Sequence, residues 1–427
     1  MKHVEGTILG AAIGRRSFLK GSAAAVIAAG LGSSLCESQP AVADEKKTGA
    51  SEDIVKPGTC RGGCGAGCQM NVHVRDGKIV KTSRRKQSDP DVTRVCNKGL
   101  THALRVYAED RLKYPMKRVG ERGEGKWEQI SWDEAITTIS DKWKEVAEKH
   151  GPRANGFLCG SGNITPDSQH GKRLCSAMGA TLLDAAQDRV FYASFPPIVG
   201  SFKGAGGGGR NDLKNAKHIF IWGFNPSEGD SQTFHYFLRA KVEHGAKMIV
   251  IDPTFTIAAS KADLFVPIHP GTDGALALAM ANVLVNEGLA KEDFLKSDTV
   301  APCLVKEADG KYLRLSDIGK ATVGAPEDKC VVRAEDGSLG ALGEVANPVI
   351  RGTFAIEGIE VRTAYDLLLE RVSEWTPEKA SEICDVPVET IRELAHLVQD
   401  GHNSVNIGLG LDHVTNGMAT FSSILSM

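Results

Sequence analysis

The chain lacks an excess of either charge: 51 Lys and Arg stand against 53 Asp and Glu in 427 residues. Without a basic patch, nucleic-acid binding is excluded as an organising function. Beyond the first 43 residues no apolar run is long enough to span a bilayer, so the mature chain reads as soluble and globular. The glycine run Gly204–Gly209 lacks a following Lys-Ser or Lys-Thr and is no P-loop; an active-site loop is the remaining reading. The nicotinamide fingerprint Gly-x-Gly-x-x-Gly is missing from the turn at Gly223, which weighs against NAD.

What is present is cysteine in one unusual arrangement. Cys60, Cys64 and Cys68 fall within nine residues, and Cys96 follows well downstream in Val95-Cys96-Asn97-Lys98-Gly99. A tight loop wrapping three corners, closed by one distant thiolate, suits a cubane [4Fe-4S] cluster. Structural zinc more often uses two short Cys pairs, and three cysteines this close cannot pair comfortably as disulfides. Gly62, Gly63, Gly65 and Gly67 let the backbone approach the sulfurs and supply positive φ angles. Of the ten cysteines, Cys36 lies in the leader, and Cys159, Cys175, Cys303, Cys330 and Cys384 show no ligand spacing and read as core residues.

The leader carries Arg15-Arg16-Ser17-Phe18-Leu19-Lys20, an apolar run from Ala23 to Leu35, and Ala41-Val42-Ala43. Twin arginines before a mild apolar stretch and a small-residue cleavage site predict export, with residues 1–43 removed. Residues 56–112 read as a small β-rich domain. Met70–Val74 alternates, Asp76-Gly77 turns and Ile79-Val80 returns, which predicts a hairpin with His73 as an outward strand residue. Lys98 is either solvated or placed to tune the cluster and bridge to a second cofactor. Ser131 and Glu134 form a capping box before an amphipathic helix.

From about residue 150 the pattern alternates α and β. Lys217–Trp222 and Lys247–Ile251 read as buried strands around a helix at 231–244. The first ends at Gly223-Phe224-Asn225-Pro226-Ser227 and the second at Asp252-Pro253. Ligands in such sheets bind at strand carboxyl ends, and an acidic strand end suits a nucleotide sugar. A structural turn fits the same residues. Ala275–Leu284 is a helix whose N-terminus favours phosphate.

The cluster loop, Cys96-x-Lys98-Gly99, Pro115-x-Lys117-Arg118 and Ile130-Ser131-Trp132-Asp133-Glu134-Ala135 resemble the molybdopterin oxidoreductases of the dimethyl sulfoxide reductase family. The resemblance implies a small iron–sulfur domain followed by Rossmann-like α/β domains, with boundaries 1–43, 44–115, 116–190 joined with 360–427, and 191–359. It implies bis-molybdopterin guanine dinucleotide, held at Gly223, Asn225, Pro226, Ser227, Asp252, Pro253, Gly271, Thr272 and Asp273. It implies molybdenum or tungsten, with Ser194 the nearest candidate for a protein ligand and Asp188 the next. Lys98 is the implied electron relay, and Cys60, Cys64, Cys68 and Cys96 the cluster ligands. Activity is expected as two-electron oxidoreduction of a small molecule, such as a sulfoxide, N-oxide, polysulfide or catechol. An iron–sulfur electron-transfer subunit and a membrane quinone-linked anchor are the implied partners, at the outer face of the cytoplasmic membrane. A cluster-only carrier, an inert truncated fragment and a non-redox hydratase are the competing readings. The family's closing domain is not in the sequence, so a C-terminal polypeptide is expected to complete the fold, and the chain alone is expected not to turn over.

Overall fold

The computed structural model describes residues 52–60, 62, 67–88, 94–158, 168–183 and 210–427. The leader, Cys64, Asp188, Ser194 and the Gly204–Gly209 run lie outside these residues.

Strands β1 (Ile54–Thr59), β2 (Gln69–Arg75) and β3 (Lys78–Arg84) form a sheet in that order. The expected hairpin turn is present, with Asp76 and Gly77 at φ 50° and 74°, a backbone that matches the twist of paired strands. The chain divides into two compact units, and residues 52–56 and 73–80 are the described part of the smaller. Within it Arg75 Nε donates to Asp53 at 2.8 Å, and His73 Nδ1 lies 3.8 Å from the same carboxylate. His73, expected to face outward, is therefore half-buried beside Asp53.

The larger unit holds residues 57–72 and 81–427. Two short helices, α1 (Asn97–Leu100) and α2 (His102–Val106), follow Cys96. Antiparallel β4 (Met116–Arg118) and β5 (Trp127–Gln129) lead to α3 (Trp132–His150). Glu134 N–H donates to Ser131 Oγ at 3.1 Å, the N-cap half of the expected capping box, while the Glu134 carboxylate turns to Lys117 Nζ at 3.1 Å. Parallel β6 (Gly156–Leu158) and β7 (Thr181–Leu183) flank α4 (Ser168–Ala177) in sequence.

The central βαβ unit is β8 (His218–Trp222), the turn α5 (Pro226–Gly229), α6 (Ser231–His244) and β9 (Lys247–Ile251). β10 (Leu264–Val266) and α7 (Asp273–Asn286) come next. An antiparallel elaboration follows: β11 (Leu304–Lys306), β12 (Val331–Arg333), β13 (Leu339–Ala341), β14 (Thr353–Ile356) and β15 (Ile359–Thr363). Helices α8 (Ala364–Ser373), α9 (Pro377–Cys384) and α10 (Val388–Gln399) return the chain to β16 (Asn403–Ile407) and α11 (Gly417–Ser426).

The main sheet is parallel, in the order β10-β9-β8-β16. Its strands are near-continuous apolar runs because both faces are covered. Phe220, Trp222, Ile249 and Ile251 pack on one face with Leu276 and Met280 of α7, Leu394 of α10 and Phe421 of α11. Ile219, Ile221, Met248 and Val250 point the other way, onto Phe237 and Ala240 of α6. Alternation at period two distributes each strand between the two layers. Truncating Phe237, fully buried, to alanine costs about 3–5 kcal/mol by the usual core-cavity magnitude.

The strand pairings run across the expected domain boundaries. Residues 360–427 were grouped with 116–190, but β16 pairs with β8 inside the sheet of residues 218–266. A boundary at 359/360 cuts β15 after its first residue, although β15 pairs with β14 as a hairpin through Ala355 and Glu360. The segment Lys311–Leu315 makes only isolated bridges at Tyr312 and Arg314 before a 3-10 turn at Leu315–Ile318. The stretch after Thr415 forms the single helix α11, which packs on α7 through Phe421 and Ile424.

Candidate functional site

The cysteine loop is held by short local bonds. Cys60 N–H donates to the Cys68 carbonyl at 2.8 Å. Gly67 has φ +57°, the left-handed backbone the loop was expected to need, whereas Gly62, expected to share it, does not. Cys60 is buried, while Cys68 and Cys96 are half-buried. A Cβ on Gly62 would sit 3.3 Å from Cys60 Sγ and 3.2 Å from Lys98 Cβ. One on Gly99 would sit 3.2 Å from the same sulfur and collide with Val95. Glycine at both places keeps backbone close to sulfur. Among the described residues no three His, Cys, Asp or Glu side chains gather as a metal site; the second cysteine of the motif, Cys64, is outside them. The three described thiols and their glycine contacts fit a sulfur-ligated cluster.

Two supporting residues carry no motif of their own. Buried Thr82, on β3, donates to the Gly99 carbonyl at 2.9 Å and to that of Leu100 at 3.0 Å, pinning α1. His102 Nε2 lies 3.4 Å from Cys60 Sγ.

The second half of the site is the carboxyl edge of the main sheet. The chain leaves β8 towards β9 on one side, while β16 enters on the other, so the strand order reverses beside β8. A crevice forms at such a switch. Its backbone is tightly built. Gly223, at φ +55°, donates to the Ile251 carbonyl at 2.9 Å, and Gly408 donates to that of Trp222 at 2.8 Å. A Cβ on Gly408 would overlap the Gly223 carbonyl, and one on Gly410 would lie 3.0 Å from that oxygen. Beyond Gly223, buried Pro226 opens α5, a position that needs no N–H. Asn225 Oδ1 accepts from Ser227 Oγ at 2.6 Å, and the Asn225 carbonyl accepts from Gly229 N–H at 2.9 Å.

Two buried carboxylates line this edge. Asp252, at the end of β9, accepts from Thr254 N–H at 2.8 Å. Asp273, the first residue of α7, accepts from Trp222 Nε1 at 2.7 Å. Burial raises Asp252 above its ordinary value, against the pull of the Thr254 N–H. Burial likewise raises Asp273; the Trp222 bond opposes this and the charge of Asp252 adds to it. Asp273 thus senses the charge of Asp252. Gly271 turns at φ +80° and its carbonyl accepts from Asn416 Nδ2 at 2.9 Å, while Thr272 Oγ1 donates to the His269 carbonyl at 2.6 Å. Pro253 is exposed beside Asp252. Thr420 Oγ1, close to Gly274 in the first turn of α7, is buried without a hydrogen-bond partner. Acidic acceptors, an orphaned hydroxyl and a helix N-terminus fit a ligand that offers N–H donors at one end and phosphate at the other.

Lys98 joins the two halves. Its Nζ donates to the carbonyl of Glu228, in the α5 turn that follows Gly223–Ser227. Arg94 reaches α6 in the same way, with its guanidinium 3.3 Å from His235 Nδ1. The structure therefore brings Cys60, Cys68, Cys96 and Lys98 into one region, and Gly223, Asn225, Asp252 and Asp273 along one sheet edge.

Comparison with known proteins gives concordant matches. The model "Molybdopterin oxidoreductase Fe4S4 domain" matches residues 54–108, and "Molybdopterin oxidoreductase" matches residues 111–427. Dimethylsulfide dehydrogenase subunit alpha of Rhodovulum sulfidophilum is 29% identical over 383 residues, 84% of this chain and 41% of the relative. Perchlorate reductase subunit alpha of Dechloromonas aromatica is 32% identical over 380 residues, 78% of this chain and 40% of the relative. Acetylene hydratase from Pelobacter acetylenicus shares the fold, with TM-score 0.55 and 21% identity over 87% of this chain and 42% of its own. The chain spans less than half the length of these relatives.

Proposed function

The chain belongs to the molybdopterin oxidoreductase family, and from that premise we propose that it serves as the catalytic chain of an exported molybdenum oxidoreductase. The family's cofactors are molybdopterin with molybdenum and a [4Fe-4S] cluster. When bound, they supply two-electron chemistry at the metal and one-electron transfer through the cluster.

In this reading Cys60, Cys64, Cys68 and Cys96 hold the cluster, and Gly62 and Gly99 keep its shell close. Asp252 and Asp273 accept the N–H and hydroxyl donors of a guanine dinucleotide, the form of pterin we propose, with two per molybdenum. The first turn of α7 and the Gly223–Ser227 turn take its phosphates. Lys98 keeps a positive charge between the cluster loop and α5, where it lowers the cost of moving an electron across. Ser194 is our proposed protein ligand to the metal, with Asp188 as the substitute. An iron–sulfur subunit and a quinone-linked membrane anchor are the proposed electron partners. Residues 1–43 would direct export through the twin-arginine pathway.

The Lys98–Glu228 hydrogen bond carries this reading, because it ties the cluster segment to the turn at the sheet edge. The proposed substrate is a small molecule with a transferable oxygen, sulfoxides and N-oxides first; the perchlorate reductase among the relatives, named for an oxygen-bearing substrate, supports that class. Metal analysis of the protein purified without air tests it. Molybdenum together with iron is expected, with guanine nucleotide released on hydrolysis. Iron without molybdenum would instead support a cluster-only electron carrier, and neither metal an inert chain.

A further inference from the structure

The antiparallel elaboration brings together two cysteines that the sequence leaves 27 positions apart. Cys303 stands opposite Val332 in an antiparallel bridge, and Cys330 lies two residues before Val332. Residues two apart on a strand share a face, so the two cysteines are diagonal neighbours on one face. Arg314 bridges Cys330 from a further segment, while Tyr312 bridges Val305, so the pair is framed by backbone on both sides. The two thiols lie near enough that the charge of Cys330 helps to raise Cys303. Cys303 is 0% exposed and Cys330 is half-buried. No third ligating side chain joins them among the described residues, so a metal site is not what the pair builds.

We propose that Cys303 and Cys330 close a disulfide in the mature protein, stapling the β11 segment to the entry of β12. The inference rests on the export proposed above, since an exported protein meets an oxidising compartment, where such pairs persist. The oxidant is a disulfide, either glutathione disulfide or an oxidised dithiol oxidoreductase. Cys330, the more accessible thiol, attacks it as thiolate, forming a mixed disulfide and releasing one thiol. Cys303 then loses its proton to solvent and attacks the Cys330 sulfur, and the second thiol leaves. Two S–H bonds are lost and one S–S bond is gained; the oxidant accepts two electrons and two protons. Burial pushes the Cys303 thiol up to about 12, with Cys330 a lesser cause. The second step is therefore slow in the folded chain, and the finished bond is shielded from reductants for the same reason.

The test uses the full chain, purified with reductant and then equilibrated with glutathione disulfide. It is denatured, alkylated without reduction and digested. The expected result is one cross-linked peptide joining Cys303 to Cys330, and a thermal midpoint that falls when the protein is reduced. Cys303→Ser and Cys330→Ser should each lose the cross-link and the sensitivity to reductant, while keeping the cluster absorbance. Complete alkylation of both residues in the oxidised wild-type protein overturns the proposal. So does finding them only as separate glutathione adducts. The wild-type peptide map decides the matter even if a variant fails to fold.

Discussion

Trp222 Nε1 donates a 2.7 Å hydrogen bond to Asp273 Oδ1, joining the last residue of β8 to the first residue of α7. A wholly buried indole thereby orients the carboxylate proposed to hold the guanine. Removing the carboxylate and removing only its charge should give different results. Asp273→Ala leaves the indole N–H buried without a partner, at about 1–3 kcal/mol. Asp273→Asn keeps an acceptor for Trp222. We expect both variants to lose guanine nucleotide and molybdenum, and only the alanine variant to lose stability as well. Normal nucleotide content in Asp273→Asn would remove this residue from the binding edge.

The same carboxylates set a pH dependence. Asp252 and Asp273 are raised above the ordinary 3.8, each chiefly by burial. A carboxyl with a raised folded value favours the folded state most when protonated. That contribution is complete below about pH 3.8 and is lost as pH climbs through the higher folded values. The cofactor-free chain should therefore gain stability from Asp273→Asn relative to wild type as pH rises above that range. Thermal midpoints of the two proteins across pH check this; a constant difference would show that burial does not perturb the group.

Gly408 meets the Gly223 carbonyl, and backbone cannot move aside as a side chain can. Gly408→Ala should force β16 away from β8 at the crevice, costing about 1–3 kcal/mol. It should also lower pterin content more than Gly245→Ala, whose added Cβ meets nothing within 4 Å although its φ of +75° adds strain. Equal pterin loss in the two variants would mean that the close approach has no role in binding.

Lys98 is exposed, and its bond to Glu228 contributes little to folding, about 1 kcal/mol or less. Lys98→Met should leave iron and molybdenum content unchanged. Electron transfer from reduced dye through the cluster to substrate should slow by at least about tenfold if the charge offsets roughly 1.4 kcal/mol of barrier. Unchanged turnover would reduce Lys98 to a structural tether.

Cys64→Ser should abolish or convert the cluster's electron paramagnetic resonance signal, since serine is a poor replacement for a thiolate ligand. Thr82→Val is the subtler test. It removes the hydroxyl bonded to the Gly99 and Leu100 carbonyls, which should loosen α1 and lower iron content without touching a ligand. Full iron content in both variants would displace the cluster from this loop.

The legible parts of this fold were those written in local pattern. Lys217–Trp222 and Lys247–Ile251 announce buried strands by their apolar runs, and Asp76-Gly77 announces a turn by its backbone needs. Partner choice was not legible. Nothing in Asn403–Ile407 specifies β8 as its neighbour, because parallel pairing over such separations leaves no periodic trace. His102 beside Cys60, Thr82 under Gly99, and Cys303 against Cys330 were missed for the same reason: each is a contact between segments whose spacing carries no motif. Trp222 read as a strand residue, and its N–H marks a polar partner only once α7 is in place.

The entry of β16 beside β8 also imposes an order on assembly. His218 and Asn403, which bond across these strands, stand 185 positions apart. During synthesis β8, β9 and β10 emerge with one side of β8 open, and α7, the elaboration and helices α8, α9 and α10 must follow before that side is paired. Contacts of such long reach form late and slowly. The crevice between Gly223 and Gly408 therefore does not exist on a partly made chain, and the pterin proposed to bind there has no seat until Gly408 has cleared the ribosome.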